Sequence, residues 1–397
     1  GSDDNDITDN TLNIKANATA KNIKNFEKLV FDLNQHISTA RPMLSLNGGE
    51  KTEGLDWTKL EADLTKLTGD NVKTYEPLGQ VLMRNGKGIE FNRGGHDTYN
   101  GPRDRIAGNF EFVLDTDSHT GTCNEVAIKG YQFQNHTDAT YKKSDGAHAA
   151  AWSGRTQIGK TVENNTLTVE DTEGELTTAH GGWVENNSGD AAKNTLVLQK
   201  GTISKVYGAE VKTKDGSATE NTVKIQGGRV GTYHGGVIYG GVLNAAGATG
   251  KAAKNTVTIE SGSSIGRLHV YGGALTENDS TGSAEENAVD LSVDVDNNVY
   301  GGYVAGTGHA KKNIVTLRGD GGADRIFGGY ARLGDASENI INITGGRRLS
   351  AIYGGFTDNP SAAKTTGNTV NLGDGTNPLA AGTTISGAIH GGSDDND

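Results

Sequence analysis

Asn255-Thr256-Val257-Thr258-Ile259, followed by Val270-Tyr271-Gly272-Gly273, is the pair of stretches whose reading decides the fold. In the first, Val257 and Ile259 alternate with threonine, so an extended backbone turns the apolar pair to one side and the hydroxyls to the other. The second reads as a short strand ended by a diglycine, which permits positive φ and a sharp corner where a Cβ would clash. Both recur. The asparagine motif starts at Asn165, Asn194, Asn221, Asn255, Asn287, Asn313, Asn339 and Asn368, at spacings of 29, 27, 34, 32, 26, 26 and 29 residues. The aromatic motif alternates with it at Val206-Tyr207-Gly208, Ile238-Tyr239-Gly240-Gly241, Val270-Tyr271-Gly272-Gly273 and Val299-Tyr300-Gly301-Gly302. It continues at Ile326-Phe327-Gly328-Gly329, Ile352-Tyr353-Gly354-Gly355 and Ile389-His390-Gly391-Gly392, with His180-Gly181-Gly182 as an early variant.

A repeat this short cannot bury its apolar face alone, so neighbouring repeats must stack to complete the core. The period matches one coil of a parallel β-helix, with coils about 4.8 Å apart. Asparagines at equivalent corners would then form a hydrogen-bonded ladder, and the Tyr, Phe and His column would stack likewise. Leucine-rich repeats need a denser leucine pattern and a helix per unit, and neither is visible. The expected fold is all-β: a right-handed parallel β-helix, or solenoid, with a small mixed α/β subdomain near the N-terminus.

The composition fits this reading. Glycine supplies 59 of 397 residues, about twice the usual ~7% share, while apolar residues stop at 33% and gather in short β-branched clusters. A net charge of −12 and the lack of any Lys/Arg-rich stretch argue against nucleic acid as a partner. Cys123 is the only cysteine, which excludes an intrachain disulfide and a thiolate metal cluster. No apolar run approaches the ~18 residues of a membrane span, so no membrane insertion is expected of this segment. The N-terminus lacks the basic and apolar regions of a signal peptide, so an exported protein would carry its signal outside this piece.

The first third departs from the period. Copies of the strand motif stand at Asn10 and Asn124, and the expected division is a first β-helix strand or coil over 1–19, an inserted or capping subdomain over 20–123, β-helix repeats over 124–392 and a tail over 393–397. Phe26–Leu33 and Met43–Leu46 look β-like. Trp57, Leu60, Leu64 and Leu67 fall at helical spacing behind Asp56 as N-cap, with Gly69 placed to end the helix. The stretch from Asn92 to Arg105, NRGGHDTYNGPRDR, crowds His96, Tyr99, Arg103 and Arg105 among turn residues, a mixture common in recognition loops. These four are the candidate ligand-binding residues, with Tyr99 as an aromatic platform and the others as hydrogen-bond donors; a solvated turn is the competing reading.

The alternating NTVTI and VYGG motifs, together with NIKNFEKLVFDL from Asn22, resemble the passenger regions of large autotransporter adhesins of Gram-negative bacteria. The repeat part of the resemblance covers 124–392, and the NFEKLVF part about twenty residues more. The resemblance implies export, display on the cell surface through an outer-membrane barrel outside this segment, and adhesion to a host or bacterial surface protein or glycan. The chain lacks both the signal peptide and the barrel of a complete member.

Parallel β-helices also carry polysaccharide lyases and hydrolases, so a carbohydrate-active enzyme is the alternative. A glycosidase needs two carboxyl groups ~5–9.5 Å apart. Asp290, Asp294 and Asp296 alternate with Leu291, Val293 and Val295, which reads as the wet face of a strand. No GxSxG elbow or HExxH helix is present, and Cys123 reads as a small residue at a strand start. Two weak calcium candidates, Gly319–Phe327 and Asp115-Thr116-Asp117, read by default as polar turns, so neither a metal nor a cofactor is expected. Finally, GSDDND occurs at 1–6 and at 392–397. Either the chain is one module of a tandem array, whose bare terminal coils would invite end-to-end self-association, or Gly1-Ser2 is a cloning scar.

Overall fold

The computed structural model describes residues 9–33, 41–67, 78–91, 103–107, 110–119, 121–133, 135–231, 235–346, 348–359, 361–375, 379 and 382–394. The chain forms two units, residues 1–134 and 135–397. Strands dominate both, and helix among the described residues is confined to two 3-10 turns, Trp57–Lys59 and Lys143–Asp145.

The second unit is a parallel β-helix of three sheets. One sheet stacks nine strands, Ala139–Tyr141 and then the eight strands of the asparagine motif through Thr369–Leu372, a second stacks the aromatic motif from Ala150–Thr156 to Ile389–Asp394, and a third stacks short strands such as Ala191–Ala192 and Ala218–Thr219. The register keeps like on like: Val223, Val257, Val289, Val315 and Ile341 align, as do Ile225, Ile259, Leu291, Leu317 and Ile343. All ten are buried, so apolar columns run along the interior, each worth ~25 cal/mol per Å² removed from water.

Between the alanine strand and the asparagine strand the chain turns at a single residue. Asn164, Lys193, Glu220, Lys254, Glu286, Lys312 and Glu338 all hold φ between 55° and 59°, and Gly367 holds 69°. Each stands one place before a motif asparagine, and the corner delivers that side chain to the interior, where Asn165 to Asn339 are fully buried. Burying an amide without partners would be costly. Here none is left over: Asn255 Nδ2 donates to Asn287 Oδ1 at 3.0 Å and to the Ala218 carbonyl at 2.9 Å, while Oδ1 accepts from Nδ2 and the backbone N–H of Asn221. The same pattern repeats from Asn194 to Asn339.

The diglycine is not the corner. Glycines 240, 241, 272 and 273 lie inside the strands Val237–Leu243 and His269–Leu275, and none has positive φ. Their smallness serves space instead. A Cβ on Gly241 would stand 2.6 Å from Asn255 Nδ2, and one on Gly240 would run into the Gly272 carbonyl of the next coil.

The first unit corrects the expected division. Its opening strands wind in parallel: Thr11–Ile14, Lys28–Asp32 and Leu60–Asp63 form one sheet, and Ala18–Ala20, Leu44–Leu46 and Leu78–Phe91 lie in another. Among the described residues, the strands from Lys28–Asp32 to Leu78–Phe91 therefore continue the winding begun at Thr11 and do not interrupt it. The unit then closes with antiparallel strands, Cys123–Phe133 pairing with Leu78–Phe91 and with Phe110–Thr116. The motif copy at Asn124 belongs to this antiparallel sheet, which moves the boundary from 124 to 135.

The helix expected over Trp57 to Leu67 is one 3-10 turn. Asp56 caps it, accepting from the Thr58 N–H at 2.8 Å, but Leu60–Asp63 is drawn off to pair with Lys28–Asp32. Trp57, Leu60, Leu64 and Leu67 are all buried, so tertiary pairing, not local periodicity, decided the backbone. Gly69 lies outside the described residues.

Candidate binding surface on the aromatic sheet

In the aromatic strands Ile238, Val270, Val299, Ile326 and Ile352 point inward and are fully buried, which turns the next residue outward. The outward rings form one continuous ladder. His180 stacks on Tyr207 at 4.6 Å, and Tyr207, Tyr239, Tyr271, Tyr300, Phe327, Tyr353 and His390 follow at centroid spacings of 5.5, 4.8, 4.8, 4.9, 5.0 and 4.9 Å. Interior rings of the ladder have both faces covered by neighbours, so they offer a ligand only edges and hydroxyls.

Three residues further along each strand a second outward column runs through Trp183, Glu210, Val242, Ala274, Tyr303, Tyr330 and Phe356. Where it is aromatic it packs edge-on against the first ladder, as Tyr300 with Tyr303 at 5.3 Å and Phe327 with Tyr330 at 5.5 Å. Between Trp183 and Tyr303 the column carries no ring. A recess of about 240 Å³ opens there, lined by Lys205, Tyr207, Val237, Tyr239, Val242, Asn244, Thr276 and Glu277.

A buried polar cluster borders the recess. The Arg155 guanidinium lies over the rings of Trp152 and Trp183, at 4.7 and 4.5 Å, and donates to Glu185 Oε2 at 2.8 and 3.0 Å. Gln157 donates to the same oxygen at 2.6 Å. His180 is stacked between Trp183 and Tyr207. Burial, with Lys212 and Arg155 nearby, holds its imidazole well below the usual range. Its 3.8 Å approach to Glu210 is therefore not an ion pair: the ring is neutral. Burial raises the Glu210 carboxyl above its usual range, and Glu185 adds to that, while Lys212 at 3.6 Å and the Asn244 amide at 3.3 Å oppose it.

The candidates named from the sequence fall elsewhere. His96 and Tyr99 lie outside the described residues. Arg103 and Arg105 stand on the strand Arg103–Ala107, paired with Phe110–Thr116, and not in an open turn. The Arg103 guanidinium lies 4.8 Å over the Trp57 ring and donates to the Leu60 carbonyl at 3.0 Å, which commits it to the packing of its own unit. Arg105 faces Phe112 in the strand register. Asp290 is gripped by Arg318 Nε at 3.0 Å, and Asp296 lies 3.5 Å from Arg348. Cys123 is buried and its thiol is pushed up to about 12, so it is no nucleophile.

Of the two calcium candidates, Asp115 engages Lys129 at 2.7 Å and His119 at 2.9 Å, and Asp117 Oδ1 accepts the N–H groups of Asn124 and Glu125. Most of Gly319–Phe327 is the start of the strand Gly322–Ala331. Among the described residues no three His, Cys, Asp or Glu side chains converge as a metal site.

The recess escaped the sequence reading because it is made by what one column lacks. Aligning the repeats on their tyrosines would have exposed the run Glu210, Val242, Ala274 among Trp, Tyr and Phe. No family model matches the chain, and no curated protein or solved structure matches it either.

Proposed function

We propose that this chain is a non-catalytic binding segment of an exported protein, displayed at a bacterial surface through a barrel outside this segment. Its partner is a host or bacterial surface protein or glycan. The observation that carries the reading is the recess beside the tyrosine ladder, set on a coil whose buried asparagines are fully hydrogen-bonded from Asn194 to Asn339. Such a coil holds a surface feature rigidly away from its anchor, which is what a display stalk requires. The passenger-region resemblance of the repeats supports the same reading.

The second reading, a carbohydrate-active enzyme, draws on one specific feature: Glu210 with a raised carboxyl beside Glu185, the pattern of an acid and its partner. Against it, Glu210 is only 4% exposed, and Glu185 is engaged by Arg155 and Gln157. Particles coated with the protein should adhere to host epithelial or bacterial cells and bind a subset of a glycan or surface-protein array. Particles that adhere to nothing would overturn the reading.

A further inference from the structure

The recess has a chemistry of its own. Tyr207, Tyr239 and Val242 line it together with Asn244, Glu277 and Lys205. Burial raises both phenols, so the hydroxyls stay protonated as donors, and neither makes a hydrogen bond to a described residue. By contrast, beyond the recess, the Tyr300 hydroxyl accepts from the Asn298 amide and the Tyr330 hydroxyl donates to Asp358. On the rim, Asn244 is oriented by Thr276, which donates to its Oδ1 at 3.0 Å, and by Glu210, leaving one amide N–H to spare. Glu277 supplies an acceptor beside them and Lys205 a donor.

We propose that this recess is a subsite for one uncharged sugar ring of a surface glycan, a proposal that rests on the binding reading above and names its ligand class. The volume of about 240 Å³ lies below the ~300–1,000 Å³ of sites for drug-sized ligands, so it admits one ring at a time. A pyranose carries hydroxyls around its edge that both donate and accept, which fits a small, mostly polar recess lined by the donors Tyr207, Tyr239, Asn244 and Lys205 and the acceptor Glu277. A purely apolar group would leave that rim unpaired, at a cost. With Glu210 paired to Lys212, the lining sets one carboxylate, Glu277, against one ammonium, Lys205, so it has no net positive charge to hold an anionic sugar.

The test is calorimetric titration of the 397-residue protein with maltohexaose, cellohexaose, mannohexaose, xylohexaose and chitohexaose, with trigalacturonate and hexa-arginine as contrasts. At least one neutral oligosaccharide should bind saturably. Val242→Tyr, at a residue of the lining, should fill the recess with a ring as Tyr303 does further along the column, weakening binding at least tenfold in the folded variant. Should that variant misfold, Asn244→Ala, at an exposed position, carries the test with an expected loss of about fivefold, near 1 kcal/mol. The proposal is overturned if no neutral oligosaccharide binds, if trigalacturonate or hexa-arginine binds better, or if neither folded variant weakens binding. Coated particles separate the two readings. Adhesion without oligosaccharide binding removes the subsite and leaves the binding reading standing; loss of both removes both.

Discussion

Asn255 and Asn287 are joined by two hydrogen bonds to one oxygen: the side-chain amide and the backbone N–H of Asn255 both donate to Asn287 Oδ1 at 3.0 Å. The same pair of bonds links each neighbouring coil, so the column fixes register as well as satisfying itself. Asn255→Ala would strand the Asn221 backbone N–H, one Asn221 Nδ2 hydrogen and the Ala218 carbonyl in the interior, while Asn287 Oδ1 keeps the backbone N–H of residue 255. At ~1–3 kcal/mol for each buried unsatisfied group, a local cost of about 3 kcal/mol or more is expected. Hydrogen exchange resolved by coil should show faster exchange at 221–225 and 287–291, and a uniform change would show that the column is not coupled locally.

The diglycine makes room and does not turn the chain, and two substitutions tell these roles apart. Gly273→Ala puts a Cβ against the Asn287 side chain and should cost several kcal/mol, because the amide it displaces is buried. Gly262→Ala sits at φ 97° with open space around it, so only backbone strain of about 1–3 kcal/mol opposes it. Denaturant midpoints compare them; equal losses would mean that the asparagine contact carries nothing.

The left-handed corner is occupied by lysine or glutamate in six coils, a conformation that costs an L-residue roughly 1–2 kcal/mol. Lys312→Gly relieves that strain while adding freedom to the unfolded chain, so stability should stay within about 1 kcal/mol of the parent, on the favourable side. Lys312→Val should cost about 2 kcal/mol, since a β-branched side chain suits that region least. Thermal melts of the two variants check the order, and a stabilising valine would contradict the backbone account.

His180 should make the second unit acid-sensitive. Facing it are Glu210, Lys212, Arg155 and, beyond the guanidinium, Glu185. Its folded pKa lies below the ordinary 6.5, so the unfolded chain binds the extra proton first as pH falls. Its contribution is therefore intact above about 6.5 and lost below it, by up to ~1.4 kcal/mol per pH unit. Glu210, raised in the folded state, acts with the opposite sign, which makes the difference between parent and variant the clean reading. His180→Tyr, matching the rings beneath it, should gain on the parent between pH 7 and pH 5, and parallel stability profiles would show that the imidazole is not neutral when folded.

The asparagine and aromatic columns were legible in the sequence because each coil repeats its residue types at one place, and stacking places like on like. The diglycine was legible as a motif but not as a cause, since only the next coil's asparagine and carbonyl show why a Cβ is excluded. Trp57 to Leu67 carried a helical spacing that pairing of Leu60–Asp63 with Lys28–Asp32 overrode. For the candidate site, Arg103 attracted notice as a cation among turn residues, yet its guanidinium lies over Trp57. The recess at Val242 went unseen because a residue without a ring in one column carries no motif.

The most direct measurement incubates the protein with a panel of neutral and acidic polysaccharides and follows retention on each together with release of reducing ends. Retention on at least one polymer with no release of reducing ends is the expected result. Release of reducing ends that Glu210→Gln abolishes would contradict the account, because it would make Glu210, with Glu185 beside it, catalytic.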